Sequence, residues 1–143
     1  MSELNQYCTF TLDGLHFGVE VRHVQEVVRY QEMTRVPLAP TEVRGLINLR
    51  GQIVTAVDLR RRMGLPDRAA DRNPMNVVLR RDDGATSLLV DAIGDVIEVD
   101  EGAFERPPET LHGTAREMLR GAYKLRDRLL LVLDAEKVLA LTP

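Results

Sequence analysis

The two halves of this chain carry the same landmarks in the same order. Asp13-Gly14, set between apolar runs, returns as Asp83-Gly84, and Val21-x-x-Val24-x-Glu26-Val27-Val28 returns as Val90-x-x-Ile93-x-Asp95-Val96-Ile97. The third landmark is the longest. Val43-Arg44-Gly45-x-x-x-Leu49-Arg50-x-x-Ile53-Val54-x-x-Val57-Asp58 returns as Leu119-Arg120-Gly121-x-x-x-Leu125-Arg126-x-x-Leu129-Leu130-x-x-Leu133-Asp134. A period of roughly 70 residues, held through a single insertion, means one supersecondary unit used twice. Whatever fold is built must accommodate two copies of one module.

Within the first copy, Cys8, Phe10 and Leu12 alternate with polar neighbours before Asp13-Gly14, and Leu15, Phe17, Val19 and Val21 alternate after it. Alternation on both sides of Asp-Gly predicts a hairpin. A third strand is expected from Glu26 to Tyr30. Pro37 and Pro40 then mark a loop, and Leu46 to Leu49 and Gln52 to Val57 flank a turn at Arg50-Gly51. Asp58 and Asp134 each precede a short helical segment, where a carboxylate accepts the exposed amides of the first turn, so both read as caps rather than catalytic acids. Five short strands leave few open edges only if the sheet curls into a small barrel. The predicted fold class is therefore mostly β, with two five-stranded barrel subdomains from an internal duplication, each ending in a short helix. The expected bounds are 5–64 for the first, 65–75 for a polar connection containing Pro66 and Pro74, and 76–141 for the second.

Charge and composition exclude several roles. The net charge of -3 argues against a nucleic-acid backbone or an anionic membrane as main partner, since both call for a basic face. Arg60-Arg61-Arg62 is basic, and reads as the solvated side of a short helix or a partner contact. A single cysteine, Cys8, permits no internal disulfide and fits a reducing, cytoplasmic compartment. No apolar run approaches the roughly 18 residues of a membrane span.

Catalytic patterns are missing as well. Gly45 and Gly51 are not followed by the Lys-Ser or Lys-Thr of a P-loop, and no G-x-S-x-G or dinucleotide fingerprint occurs. His16, His23 and His112 stand apart from any cysteine pair or H-x-x-x-H spacing, so no metal and no cofactor is expected. A small nucleic-acid-binding barrel remains a rival reading, weakened by only three Phe and three Tyr for base stacking.

One apolar, low-charge passage stands out: Gly45-Leu46-Ile47-Asn48-Leu49-Arg50-Gly51-Gln52-Ile53-Val54. It is preceded by Val24-Gln25-Glu26-Val27 and the Thr34-Arg35-Val36-Pro37-x-x-Pro40 loop, and followed by Val57-Asp58-Leu59-Arg60. Val90-Asp91-x-x-x-Asp95-Val96 stands in the second half. In this order the elements resemble the CheW family of chemotaxis coupling proteins, over essentially the whole chain. The resemblance implies two SH3-like barrels and a non-enzymatic cytoplasmic adapter. Such an adapter joins the cytoplasmic tips of methyl-accepting chemoreceptors to the regulatory domain of the histidine kinase CheA, in flagellar chemotaxis or in a pathway controlling pili or development.

The resemblance also implies partner-binding positions: Val24, Glu26, Gly45, Asn48, Arg50, Gly51, Ile93 and Val96. Each has a structural alternative. Gly45 either leaves room for a partner helix or serves a turn. Arg50 pairs with Glu26, recognises a partner, or does both, since a five-donor guanidinium can bond a carboxylate and a partner carbonyl together. Val24, Ile93 and Val96 read as core or as contact. Lys124, Arg126 and Arg128 make the matching segment of the second copy more positive than the family pattern suggests.

Overall fold

The computed structural model describes residues 4–82, 84–109, 111 and 113–140. Asp83, His112 and the expected C-terminal limit at residue 141 lie outside the described residues. In the first copy, β1 (Leu4–Leu12) and β2 (Leu15–Glu20) form the expected hairpin. Asp13 and Gly14 both take positive φ, 50° and 77°, as a two-residue turn of the right twist requires. A 3-10 turn leads to β3 (Val24–Val28), and β4 (Val43–Leu49) and β5 (Gln52–Asp58) make a second hairpin before α1 (Leu59–Arg62). The second copy repeats this order as β6 (Met75–Arg81), β7 (Gly84–Val90), β8 (Ala92–Asp100), β10 (Leu119–Lys124), β11 (Leu129–Leu133) and α3 (Ala135–Leu139). Its insertion carries the two-residue strand β9 (Phe104–Glu105) and the helix α2 (Gly113–Glu117).

Both predicted caps are present. Asp58 accepts from the amides of Arg60 and Arg61, and Asp134 accepts from the amide of Lys137 at 3.2 Å.

The copies are not the sheets. One six-stranded sheet runs β8-β1-β2-β11-β10-β9, and one five-stranded sheet runs β3-β6-β7-β5-β4. Each sheet takes its N-terminal hairpin from one copy and its remaining strands from the other. Two joints hold the copies together in each sheet, a parallel pair, β2 with β11 and β5 with β7, and an antiparallel pair, β1 with β8 and β3 with β6. The expected division at 5–64 and 76–141 therefore does not coincide with the sheets. The five-stranded sheet is continuous in sequence, from Val24 to Val90, and interrupts the six-stranded one. The physical reason is local. A hairpin satisfies its own turn but leaves an outer edge, and here that edge pairs with the other copy's C-terminal hairpin. Strand alternation specifies neither choice.

Three cores follow from this exchange. The largest lies between the sheets and draws Phe10, Leu12, Phe17, Leu131 and Leu133 from one, and Val57, Val77, Leu79, Leu88 and Val90 from the other. A smaller core inside each sheet holds Ile47, Leu49, Val54 and Leu89 on one side, and Tyr7, Tyr123, Leu130 and Val132 on the other. β6, β7 and β11 are thus buried on both faces. This explains their unbroken runs Val77-Val78-Leu79, Leu88-Leu89-Val90 and Leu130-Leu131-Val132-Leu133.

Of the three arginines of α1, Arg61 is exposed as expected, whereas Arg60 and Arg62 are half-buried, and all three bond other parts of the chain. Arg62 donates to the carbonyls of Lys137, Val138 and Ala140, tying the helix that ends one copy to the helix that ends the other. Arg61 bonds Asp67 and the Thr41 carbonyl. Arg60 holds Asp91, the residue at which the chain leaves β7 for β8 and so passes from one sheet to the other. Asp91 also takes the Arg68 guanidinium at 3.0 Å and the Asp13 amide at 2.9 Å.

Burial alone would raise the Asp91 carboxyl. The Arg60 hydrogen bond, the Asp13 amide and the charges of Arg60 and Arg68 outweigh it and hold the group below the usual carboxylate range. A depressed folded value adds stability above the unfolded pKa of about 3.9, and that stability disappears as pH falls through the folded value.

Two outcomes are expected. Asp91→Asn lowers the urea midpoint at pH 7, and the difference from the parent chain shrinks below about pH 4, read by circular dichroism at several pH values. Residues 5–64 expressed alone remain unfolded in an amide NMR spectrum, because β1–β2 and β5 lose their parallel partners; folded, dispersed resonances from that fragment would contradict the exchange.

Candidate functional site

β3 and β4 are the outer strands of the five-stranded sheet, and the β4–β5 hairpin meets β3 at one end. Two side-chain bonds join them, and a third links neighbours on β3. Arg50 donates to the Glu26 carboxylate, Gln25 Nε2 donates to Gln52 Oε1 at 3.0 Å, and Gln25 also reaches Glu26 at 3.3 Å. The hairpin turn is shaped by Asn48, whose Oδ1 accepts the Gly51 amide at 2.7 Å. Arg50 and Gly51 both take positive φ, 53° and 92°. A non-glycine residue in that region is strained, and its side chain reaches over the seam to Glu26.

The Arg50 hydrogen bond, then that from Gln25, holds the Glu26 carboxyl below its usual range, and Glu26 in turn raises the Arg50 guanidinium. The Arg50 side chain is 72% exposed and Glu26 20%. Water screens such a pair, so its contribution to stability is small, while free donors remain on Arg50.

Four of the expected partner-binding residues, Glu26, Asn48, Arg50 and Gly51, are therefore brought together at one hairpin. The others are not part of it. Val24 is half-buried on β3 and packs against the intersheet core. Ile93 and Val96 lie in the other sheet, on β8: Ile93 packs on the intersheet core opposite Phe10, whereas Val96 is 57% exposed opposite Cys8. Of the three positions left open between core and contact, Val96 alone presents a surface.

Gly45 answers differently from either expectation. It stands inside β4 at a register shift, not in a turn, and is buried. A Cβ there would meet the Thr34 carbonyl oxygen at 2.6 Å and the Met33 side chain at 3.1 Å. The close approach is made by the chain itself, through the Thr34–Leu46 bridge. Its copy Gly121 repeats the arrangement, with Glu105 and Phe104 of β9 over it.

Sequence reasoning passed over Ile53. It pairs with Asn48 across the hairpin that carries Arg50 and is 59% exposed, an apolar side chain in solvent. Its signal was period-two alternation, which places Val54 and Ala56 inside and Ile53 and Thr55 outward. The corresponding Leu129 of the second copy is also exposed.

Nothing in the described residues assembles a reactive group. Burial raises the Cys8 thiol, which disfavours the nucleophilic thiolate. Burial, then the Tyr123 hydroxyl, pushes Tyr7 upward. Among the described residues no group of three or more His, Cys, Asp or Glu side chains is placed to hold a metal ion, and no helix is long and apolar enough to cross a membrane.

Comparison with known proteins gives a consistent result. The family described as CheW-like domain matches residues 6–142. The chemotaxis protein CheW of Klebsiella aerogenes is 31% identical over 135 residues, covering 94% of this chain and 81% of that protein. CheW of Bacillus subtilis is 31% identical over 130 residues, covering 91% and 83%. The crystal structure of the scaffolding protein TtCheW from Thermoanaerobacter tengcongensis superposes with a TM-score of 0.86 at 26% identity, covering 98% of this chain and 95% of that one.

Gly45→Ala is expected to lower stability by about 1–3 kcal/mol, the cost of overpacking against a fixed backbone, with a lower urea midpoint and an unchanged slope. Gly121→Ala should behave alike. A Gly45→Ala chain as stable as the parent would mean that the Thr34 segment yields freely.

Proposed function

This chain belongs to the CheW family and is a non-enzymatic chemotaxis scaffold, and on that premise we propose that it couples methyl-accepting chemoreceptors to the histidine kinase CheA. The observation that carries the finer reading is the hairpin surface. Ile53 supplies exposed apolar area, the Glu26–Arg50 pair supplies a polar rim, and the Asn48-bonded turn fixes both on a rigid strand pair. A protein-binding patch needs this combination of an apolar centre and hydrogen-bonding edge.

In this reading Glu26, Asn48, Arg50, Gly51 and Ile53 form one contact, and Val96 on β8 belongs to a second, on the other sheet. Val24, Gly45 and Ile93 support these surfaces from beneath. The receptor's helical tip and the kinase's regulatory domain are the two partners, and the chain works in the cytoplasm beneath the receptor array. Contacts of this size suit micromolar affinities, with repetition across an array supplying avidity. Signal passes only if the scaffold binds the two states of receptor or kinase with different free energies.

The test is reconstitution of kinase activity with receptor-bearing membranes, CheA and this chain. Arg50→Ala and Ile53→Asp should each reduce receptor-dependent kinase activation at least tenfold, while the melting temperature stays within about 2 °C because both positions are exposed. Full activation by folded Arg50→Ala and Ile53→Asp chains would remove this surface from the mechanism.

A further inference from the structure

The loop between β3 and β4 carries the most exposed large apolar side chain among the described residues. Leu38 is 105% exposed, so it touches almost nothing of its own protein. Its backbone is unusual as well, with φ at 65°. Pro37 before it fixes the first central position of a turn, and the second then takes positive φ, a place that favours glycine or asparagine. A leucine there is strained, and it gains no burial in return.

The loop around this knob is firmly tied. The Thr34–Leu46 bridge closes one side with two backbone bonds of 2.8 Å. On the other side Val43 donates to the Pro40 carbonyl, and Arg61 donates to the Thr41 carbonyl. Leu38 is therefore held out on a braced turn.

Beside it lies a cleft of about 580 Å3, bordered by Tyr30, Met33 and the guanidinium residues Arg35, Arg44 and Arg61, with no carboxylate in its lining. Arg44 bonds Asp58 and Arg61 bonds Asp67, but Arg35 makes no ion pair among the described residues. The chain as a whole carries net charge -3, so a positive cleft is a local feature.

We propose that Leu38 and this cleft form a docking site for an acidic segment of another protein, one whose apolar residue covers Leu38 while its carboxylates bond Arg35 and its neighbours. Charge complementarity selects the occupant. An anionic bilayer is the less suitable surface, because a flat interface cannot fill a cleft. The site shares no residue with the Glu26–Arg50 hairpin, so it goes beyond the coupling role and stands or fails separately from it.

The experiment is an NMR titration of the full chain, following the Leu38 methyls and the Arg35 Nε–H. The probe is a synthetic peptide of aspartate and glutamate around one central leucine. Saturable shifts are expected at both positions, at least tenfold weaker binding in Leu38→Asn and in Arg35→Glu, and none with a lysine version of the peptide. Leu38→Asn should also raise the melting temperature by a few degrees, since asparagine tolerates positive φ. A docking residue loses binding while stability rises, whereas a packing residue loses both. The proposal is overturned if the acidic peptide produces no saturable shift, or if Leu38→Asn or Arg35→Glu binds it as well as the parent. It is equally overturned if the lysine peptide binds equally, or if phosphatidylserine vesicles capture the chain through Leu38 while the peptide does not.

Discussion

Two parallel strand pairs, β2 with β11 and β5 with β7, decide the architecture of this protein. The other pairs are antiparallel, and two of them, β1 with β8 and β3 with β6, also join strands of different copies. Each parallel pair joins the first hairpin of one copy to the last hairpin of the other. Without them each sheet falls into two separate three- or two-stranded pieces. With them, neither copy can be removed without opening both sheets. The intersheet core follows directly, because strands buried on both faces must contribute side chains to an inner core and to the shared one. Asp91 sits where the chain crosses between the sheets, and four donor groups from three segments converge on its carboxylate.

On this common skeleton the copies have diverged at their surfaces. Gly45 and Gly121 keep one job, leaving space for a closing segment of backbone. Asp58 and Asp134 keep the capping job. The hairpin tips differ. The first has a two-residue turn with Arg50 aimed at Glu26, whereas the second is longer and offers Lys124, Arg126 and Arg128. At the position matching Glu26, Asp95 uses its backbone carbonyl to accept from the Thr9 hydroxyl at 2.6 Å. Duplication thus supplies two similar supports, and the exposed residues give them different chemistry.

Much of this was legible in the sequence, because repeats, Asp-Gly turns and helix caps are local signals. The strands, both caps and the Glu26–Arg50 pairing all rest on residues near one another in sequence or in the resemblance to the CheW family. Which hairpin pairs with which is a different kind of fact. The period-two pattern of β2 reads the same whether its edge faces β11 or strands of its own copy, so the exchange of hairpins between the sheets leaves no mark on the sequence. The partners of the α1 arginines are hidden for a related reason. Arg60, Arg61 and Arg62 look solvated on an isolated helix, yet their partners Asp91, Asp67 and the last carbonyls of α3 come from other parts of the chain. Gly45 showed its need for space but not what fills it.

The shared core also limits how such a scaffold can carry a signal. Moving one sheet against the other would expose Phe10, Leu12, Val57, Leu59, Val77, Leu79 and Leu88, which are fully or almost fully buried. At about 1.5–3 kcal/mol for each large side chain, even partial separation exceeds the few kcal/mol that a ligand typically contributes to shifting a conformation. A hinge between the sheets is thus disfavoured relative to transmission by placement. The hairpin that carries Arg50 and Ile53, and the strand that carries Val96, stay fixed relative to one another. On the proposed coupling role, a partner bound at one surface would set the position of a partner bound at the other, and differences in binding free energy would arise at the contacts themselves rather than inside the scaffold.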